Sequence, residues 1–204
     1  MSKFLRVLLA SATLALCNAA GAAVIDGRIS TIGGDDENPE LKVARIAFTV
    51  DAGTRLFFDS LVLELTTDLN GDGFITGFDD EMALYDGTTL LTRNDDSPVT
   101  YGDGSEHPFD AAFTWNFTEA GTYVVALGVR GYSDSDALRG YQADKAFLAR
   151  VGYENFGAWR LTLSALSGSV SDVHEISAEV PEPGTLALFG AGLLGALWLR
   201  RRRR

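Results

Sequence analysis

The stretch Phe113-Thr114-Trp115-Asn116-Phe117-Thr118 alternates aromatic and polar residues. Successive side chains of a β-strand point to opposite faces of a sheet, so this pattern places three aromatic rings on one face and polar groups on the other. The stretch Trp159-Arg160-Leu161-Thr162-Leu163-Ser164-Ala165 repeats the alternation with apolar residues at every second position. Both patterns are typical of strands in an antiparallel sheet that has one buried face and one solvated face.

The same periodicity recurs through the middle of the chain, with turn residues at Asp86-Gly87 and Glu119-Ala120-Gly121. Further strands are predicted at 24–31, 41–50, 55–66, 81–86, 89–93 and 122–130. Only the segment 136–150 shows a helical stripe, and a weak one. We therefore predict an all-β fold, an antiparallel β-sandwich of the jelly-roll kind over residues 23–179, flanked by an N-terminal signal helix and a C-terminal hydrophobic helix.

The N-terminus has the three regions of a secretory signal peptide. Two basic residues precede an uncharged apolar run over residues 7–16, and Ala20 and Ala22 occupy the small-residue positions of an A-x-A cleavage site. This order predicts a signal peptide over residues 1–22 and export of the remainder. The single cysteine, Cys17, lies inside the removed segment, so the mature domain is predicted to fold without disulfides.

Charge is unevenly distributed along the chain. All 28 acidic residues but only 10 of the 17 basic residues lie between Asp26 and Glu182, which gives this region a net charge of −18. A surface this acidic repels phosphate backbones, so nucleic acid is not expected as a partner. The same surface suits divalent cations.

The C-terminal residues 180–204 have a different composition. Pro181-Glu182-Pro183 precedes an uncharged apolar stretch over 185–199, and five arginines close the chain. The apolar stretch predicts a short membrane helix, and the positive-inside rule keeps the arginines in the cytoplasm.

This combination resembles the PEP-CTERM sorting signal of Gram-negative bacteria. The resemblance implies that an exosortase recognises the tail and cuts near the motif, and it associates the protein with exopolysaccharide and biofilm matrix. The implied location is the cell envelope, the outer surface or the exterior, after transient anchoring in the inner membrane. The alternative is a plain single-pass anchor.

Four segments of the body resemble bacterial secreted domains of the pre-peptidase C-terminal type. They are residues 81–87, 90–97, 120–125 and 157–163. The resemblance spans about residues 43–165. It implies a small β-sandwich that serves as an accessory or surface module with no activity of its own.

The segment Asp68-Leu69-Asn70-Gly71-Asp72-Gly73-Phe74-Ile75-Thr76-Gly77-Phe78-Asp79 is similar to the twelve-position calcium loop of EF-hand and dockerin-like proteins. Such loops need oxygen ligands at positions 1, 3, 5, 9 and 12, a carbonyl at position 7 and glycine at position 6. The predicted Ca²⁺ ligands are Asp68, Asn70, Asp72, the Phe74 carbonyl, Thr76 and Asp79. Aspartate at position 12 in place of glutamate favours weak binding, and strand-like flanks predict a loop mounted in a β-hairpin as a staple. The alternative is an acidic turn without an ion.

A second candidate cation site, Asn94-Asp95-Asp96, is predicted either to bind a cation at a corner of the sandwich or simply to cap a turn. The turn is the favoured interpretation. The segment Asp134-Ser135-Asp136 is predicted to be a solvated loop.

No catalytic motif is present, and only His107 and His174 offer imidazoles. We therefore predict a non-catalytic cell-surface or matrix protein. One alternative is a lectin-like, carbohydrate-binding module that stacks sugars on exposed aromatic rings, and the candidates are Tyr101, Trp115, Tyr132, Tyr141, Tyr153 and Trp159. The competing interpretation of these rings is core packing, which the alternation around Trp115 and Trp159 favours. A less favoured alternative is a glycoside hydrolase, which would need two carboxylates facing each other in a cleft.

Overall fold

A computed structural model describes residues 21–34, 37–97, 108–152 and 155–176. In these residues the chain forms two antiparallel sheets and one short helix, as the alternating pattern predicts. The fold is a β-sandwich. The predicted signal segment before residue 21 and the predicted hydrophobic helix 185–199 lie outside the described residues. Within the described residues, no helix has the length and apolar character needed to cross a membrane.

Most of the elements follow one another with short connections, and the long ones lie between the fourth and fifth, the sixth and seventh, and the ninth and tenth strands. They are β1 (Ala22–Gly34), β2 (Pro39–Lys42), β3 (Ala44–Val50), β4 (Arg55–Leu61), β5 (Asp80–Asp86), β6 (Thr89–Asn94), β7 (Ala112–Asn116), β8 (Gly121–Val129), α1 (Asp134–Arg139), β9 (Tyr141–Gln142), β10 (Phe156–Ser167) and β11 (Val170–Glu175).

One sheet has six strands in the order β7-β4-β10-β1-β2-β9, and the other has five in the order β11-β3-β8-β5-β6. In the first sheet, β1 and β10 pair in continuous register from Ala22 opposite Ser164 to Ser30 opposite Phe156. Gly27 lies opposite Trp159. A Cβ atom at Gly27 would lie 2.3 Å from the Trp159 ring, so the close approach of ring and backbone requires glycine here.

The core between the sheets is rich in aromatic rings. Phe48 contacts Phe58 and Phe117 edge to face, with ring centroids 5.5 and 5.9 Å apart. Phe117 and Trp159 are both buried, as the alternating pattern predicts. The inward positions of β7 are only half-buried at Phe113 and Trp115, since β7 is an edge strand of its sheet.

Several details differ from the sequence-based expectations. The strand predicted at 55–66 ends at Leu61, and the predicted helical stripe at 136–150 gives a helix only over Asp134–Arg139. That helix includes the segment predicted to be a solvated loop, since the Ser133 side chain accepts from the Asp136 N–H and caps it.

The prediction that a β-hairpin carries the acidic loop 68–79 is wrong, because β4 belongs to the six-stranded sheet and β5 to the five-stranded sheet. The acidic loop therefore joins the two sheets.

Candidate metal centre

The first half of the acidic loop is folded around the carboxylate of Asp68. This carboxylate accepts hydrogen bonds from the backbone N–H groups of Gly71 at 2.6 Å, Asp72 at 3.2 Å and Gly73 at 2.9 Å. Gly71 and Gly73 have φ values of +75° and +89°, in the left-handed region that glycine adopts without a steric penalty. Alternate glycines let the chain turn sharply enough for one side chain to reach three successive N–H groups.

Two further turns of the same kind follow. The Asn70 Oδ1 accepts from the Asp72 N–H at 2.9 Å, and the Asp72 Oδ1 accepts from the Phe74 N–H at 2.9 Å. Asp68 and Asn70 thus share one donor, the Asp72 N–H. The structure brings together the side chains at loop positions 1, 3 and 5 on one tightly curved segment of backbone.

Glu64, which is not among the predicted ligands, organises the loop from outside the motif. Its side chain is 1 % exposed, and it accepts from the N–H groups of Leu69 at 2.7 Å, Asn70 at 3.0 Å and Thr76 at 3.3 Å. Its own N–H donates to the Thr76 carbonyl at 3.0 Å. Glu64 therefore binds both ends of the loop. In the sequence, the position of Glu64 inside the apolar run Leu61-Val62-Leu63-Glu64-Leu65 is the signal that could have identified this residue.

The second half of the loop is engaged elsewhere. The Thr76 hydroxyl accepts from the Ala158 N–H at 2.8 Å. The Asp79 carboxylate binds Arg150 at 2.6 Å and lies 3.8 Å from Arg130. Because Asp79 is held by these arginines, it does not join Asp68 and Asp72. Among the residues that the structure describes, no group of three or more His, Cys, Asp or Glu side chains could hold a metal ion.

The loop lies on the outer face of β1 and β10. Arg160 donates to the Asn70 carbonyl at 2.8 Å. The Arg28 guanidinium stacks between the Phe74 and Phe156 rings, 4.8 and 4.7 Å from their centroids, and lies 3.6 Å from the Asp72 carboxylate. A fixed cation thus already faces one predicted ligand. Hard oxygen donors on a rigid turn fit Ca²⁺ better than any softer metal.

The second candidate cation site has a different arrangement. The Asn94 Oδ1 accepts from the Ala112 N–H at 3.1 Å, and the Asp95 carboxylate pairs with Arg130 at 2.9 Å. Asp96 is exposed. The three side chains therefore have separate surroundings. Asn94 binds a backbone N–H group, and Asp95 forms an ion pair.

Among the buried carboxyls, Asp80 and Asp110 are neighbours and are 0 % and 3 % exposed. Burial raises the pKa of Asp80 well above its usual range, and the neighbouring charge of Asp110 raises this pKa further. Asp110 accepts from the N–H groups of Val62 and Leu63. Enclosed in this way, the two carboxyls are not the open pair in a cleft that a glycoside hydrolase needs.

Most of the aromatic rings considered for sugar stacking are buried. Trp159, Tyr132 and Tyr141 are 0 %, 2 % and 9 % exposed, and Trp115 is half-buried. Tyr101 and Tyr153 lie outside the described residues, as does His107. Tyr132 and Tyr141 therefore do not provide the exposed rings that the lectin-like alternative would need.

Comparison with protein families identifies the end of the chain. Residues 179–204 match the PEP-CTERM protein-sorting motif. The chain carries an exosortase sorting signal. The PEP-CTERM match contains Pro181, Glu182 and Pro183 and confirms the interpretation of the tail. It marks an exported protein that is sorted to the cell surface and processed by exosortase. Among curated proteins, no sequence matches this chain.

Proposed function

We propose that this exported protein is a non-catalytic component of the cell surface or extracellular matrix, with a β-sandwich that Ca²⁺ stabilises. One observation carries the proposal of calcium: Asp68, Asn70 and Asp72 all bind the same curved stretch of backbone around Gly71 and Gly73. The two carboxylates repel each other across this turn, and a divalent cation would relieve that repulsion.

The side chains of Asp68, Asn70 and Asp72 and the carbonyl of Phe74 would hold the ion. Ca²⁺ would supply charge neutralisation and fix the turn. Thr76 and Asp79 remain predicted ligands, and each would have to exchange a present partner, the Ala158 N–H or Arg150, for the ion. This requirement favours weak binding, with a Kd of about 10⁻⁴–10⁻³ M as in other extracellular modules.

The position of the loop favours a staple rather than a switch. The loop connects the two sheets and contacts β1 and β10 through Arg28 and Arg160. No helix pair flanks it within the described residues, so the opening motion of a sensor EF-hand has no counterpart there.

The sorting signal also suggests the partners. We infer that exosortase releases the body from a transient inner-membrane anchor over residues 185–199, and that exopolysaccharide is its neighbour afterwards. The acidic body makes nucleic acid an unsuitable partner. The resemblance of the body to pre-peptidase C-terminal-type domains stays a prediction.

Thermal unfolding of the purified full chain in mild detergent tests the calcium proposal. At about 10 mM Ca²⁺, ten to a hundred times the expected Kd, the free energy of unfolding should rise by about 1.4–2.7 kcal/mol. Asp72→Ala should abolish this rise. Asp96→Ala, which removes an exposed carboxylate at the other acidic turn, should keep it. An identical melting curve in chelator and in Ca²⁺ would overturn the assignment.

A further inference from the structure

An open cavity of about 650 Å³ lies where β8 ends, beside the segment 145–150. Its lining combines three cations, one carboxylate and apolar side chains. The residues that matter are Asp79, Arg130, Lys145, Leu148, Ala149 and Arg150. A volume of this size is within the range of small-molecule sites and accommodates one or two sugar units.

The charge of this cavity is opposite to that of the rest of the body. Between Asp26 and Glu182 there are 10 basic residues against 28 acidic ones, yet Arg130, Lys145 and Arg150 share this one cavity. The ion-paired acids at the cavity are Asp79 and Asp95, so one positive charge remains in excess. In a protein that repels anions elsewhere, this is a place where an anion is attracted.

The cations are accessible and held in place. Arg130 and Arg150 are 52 % and 50 % exposed. The Arg150 guanidinium stacks over the Phe109 ring at 4.6 Å, and its backbone N–H donates to the Gly77 carbonyl at 2.7 Å. The Arg150 Nη2 also donates to the Asp79 carboxylate, and a guanidinium held in this way needs little ordering to donate its remaining hydrogen bonds to a ligand carboxylate.

Apolar surface lies next to the cations. Leu148 is 78 % exposed, more than the other exposed leucines of the described residues, and Ala149 continues the surface. A hexose ring presents a C–H face to such a surface and its substituents to polar groups, so a sugar that also carries a carboxylate matches both halves of the lining.

We propose that this cavity binds a carboxylated sugar, such as a uronic acid unit of an acidic polysaccharide. The inference rests on the proposed function, which places the protein beside exopolysaccharide. The predicted calcium ligand Asp79 also lines the cavity and pairs with Arg150 and Arg130, so the sugar site is proposed, and tested, in the calcium-free protein. Arg130 and Arg150 would bind the carboxylate, Lys145 would add charge, and Leu148 would contact the ring.

Calorimetric titration of the full chain with an oligoglucuronate tests the proposal. The titration is done in EDTA, so that calcium cannot bridge the glycan to the acidic loop and failure of the calcium proposal stays separate. Leu148→Glu adds a negative charge and a longer side chain at an exposed position, and it should weaken binding by at least about tenfold. Leu166→Glu, at another exposed leucine, is the matched control and should bind like the unaltered protein.

A glucose oligomer of the same length and a short glutamate-rich peptide complete the experiment. Binding of oligoglucuronate alone, lost in Leu148→Glu and kept in Leu166→Glu, is the expected result. Equal binding of the glucose oligomer would overturn the role of the cations. Binding of the acidic peptide in place of the glycan would overturn the assignment to a sugar. Absence of binding by the folded protein, or equal loss in both variants, would overturn the site itself.

Discussion

Two acidic turns of this protein, residues 68–79 and 94–96, have similar composition and different structures. In the first, Asp68, Asn70 and Asp72 bind N–H groups of their own turn, and two glycines with positive φ let the chain curve around them. In the second, Asn94 and Asp95 bind groups of other elements, and no glycine interrupts the run.

The difference shows that an acidic composition alone does not bring side-chain oxygen atoms together on one turn of the backbone. Alternation of acidic or amide residues with glycine does, because each side chain then reaches backbone two or three residues ahead. Where that alternation is missing, the same side chains are free to pair with distant cations such as Arg130.

The largest effect on stability is expected from removing Glu64, which binds the first turn and, among the described residues, has no equivalent at the second. Glu64→Ala leaves three N–H groups, one buried and two partly buried, without their acceptor and should lower the free energy of unfolding by about 3 kcal/mol. Denaturant unfolding measures this change. Asp96→Ala at the second turn should change stability by less than about 0.5 kcal/mol. Similar values for the two variants would remove the distinction between the turns.

Substitution of a glycine in the first turn should have the next largest effect on stability. At Gly73, with φ at +89° and open space around a Cβ atom, Gly73→Ala should cost about 1 kcal/mol through backbone strain alone. It should also weaken stabilisation by Ca²⁺. Gly87→Ala is the matched control, since Gly87 has φ at +56° and equally open surroundings in the β5–β6 hairpin. It should carry a similar strain and leave the calcium effect intact, and thermal melts with and without Ca²⁺ distinguish the two.

A smaller effect concerns the cation that already faces the first turn. Arg28 lies 3.6 Å from the Asp72 carboxylate and would repel a bound ion. Arg28→Gln should therefore tighten calcium binding by about two- to fivefold at low salt, and by less at high salt. Arg55→Gln removes the same charge from the start of β4 and serves as control. Calcium titration by calorimetry gives both constants, and equal tightening would mean that only net charge matters.

The smallest effect lies at a third acidic turn, residues 133–136, whose oxygens cap a helix. Although partial burial opposes it, hydrogen bonds from Ser133 and the ion pair with Arg139 lower the pKa of Asp136. A lowered pKa means that the carboxylate stabilises the folded state above its unfolded pKa of about 3.9, and that this contribution disappears as the pH falls through the folded value. Asp136→Asn should cost about 0.5–1 kcal/mol at pH 7.

Urea unfolding of this variant at several pH values tests the sign. The difference from the unaltered protein should shrink below a pH of about 4, and Ca²⁺ should not change it. A difference that grows with acid would contradict the assigned direction of the shift.

The sequence was informative where the interactions are local. Period-2 alternation around Trp115 and Trp159 predicted strands, and the first half of the loop followed from side chains that bind backbone two to five residues away. The partners of Thr76 and Asp79 could not be predicted, because Ala158 and Arg150 lie 82 and 71 residues further along the chain. The prediction of a hairpin around the loop was wrong for a similar reason, because the spacing of strands along the sequence does not reveal which sheet each strand enters.

The pairing of β1 with β10 has a consequence for how the protein reaches its folded state. Asp26 and Arg160, which form an ion pair across these two strands, are 134 residues apart in the sequence. During synthesis, β1 emerges from the ribosome long before its main neighbour and must remain unpaired on that edge until most of the chain has been made. Closure of the six-stranded sheet is therefore a late step, possible only after nearly the entire domain has been synthesised.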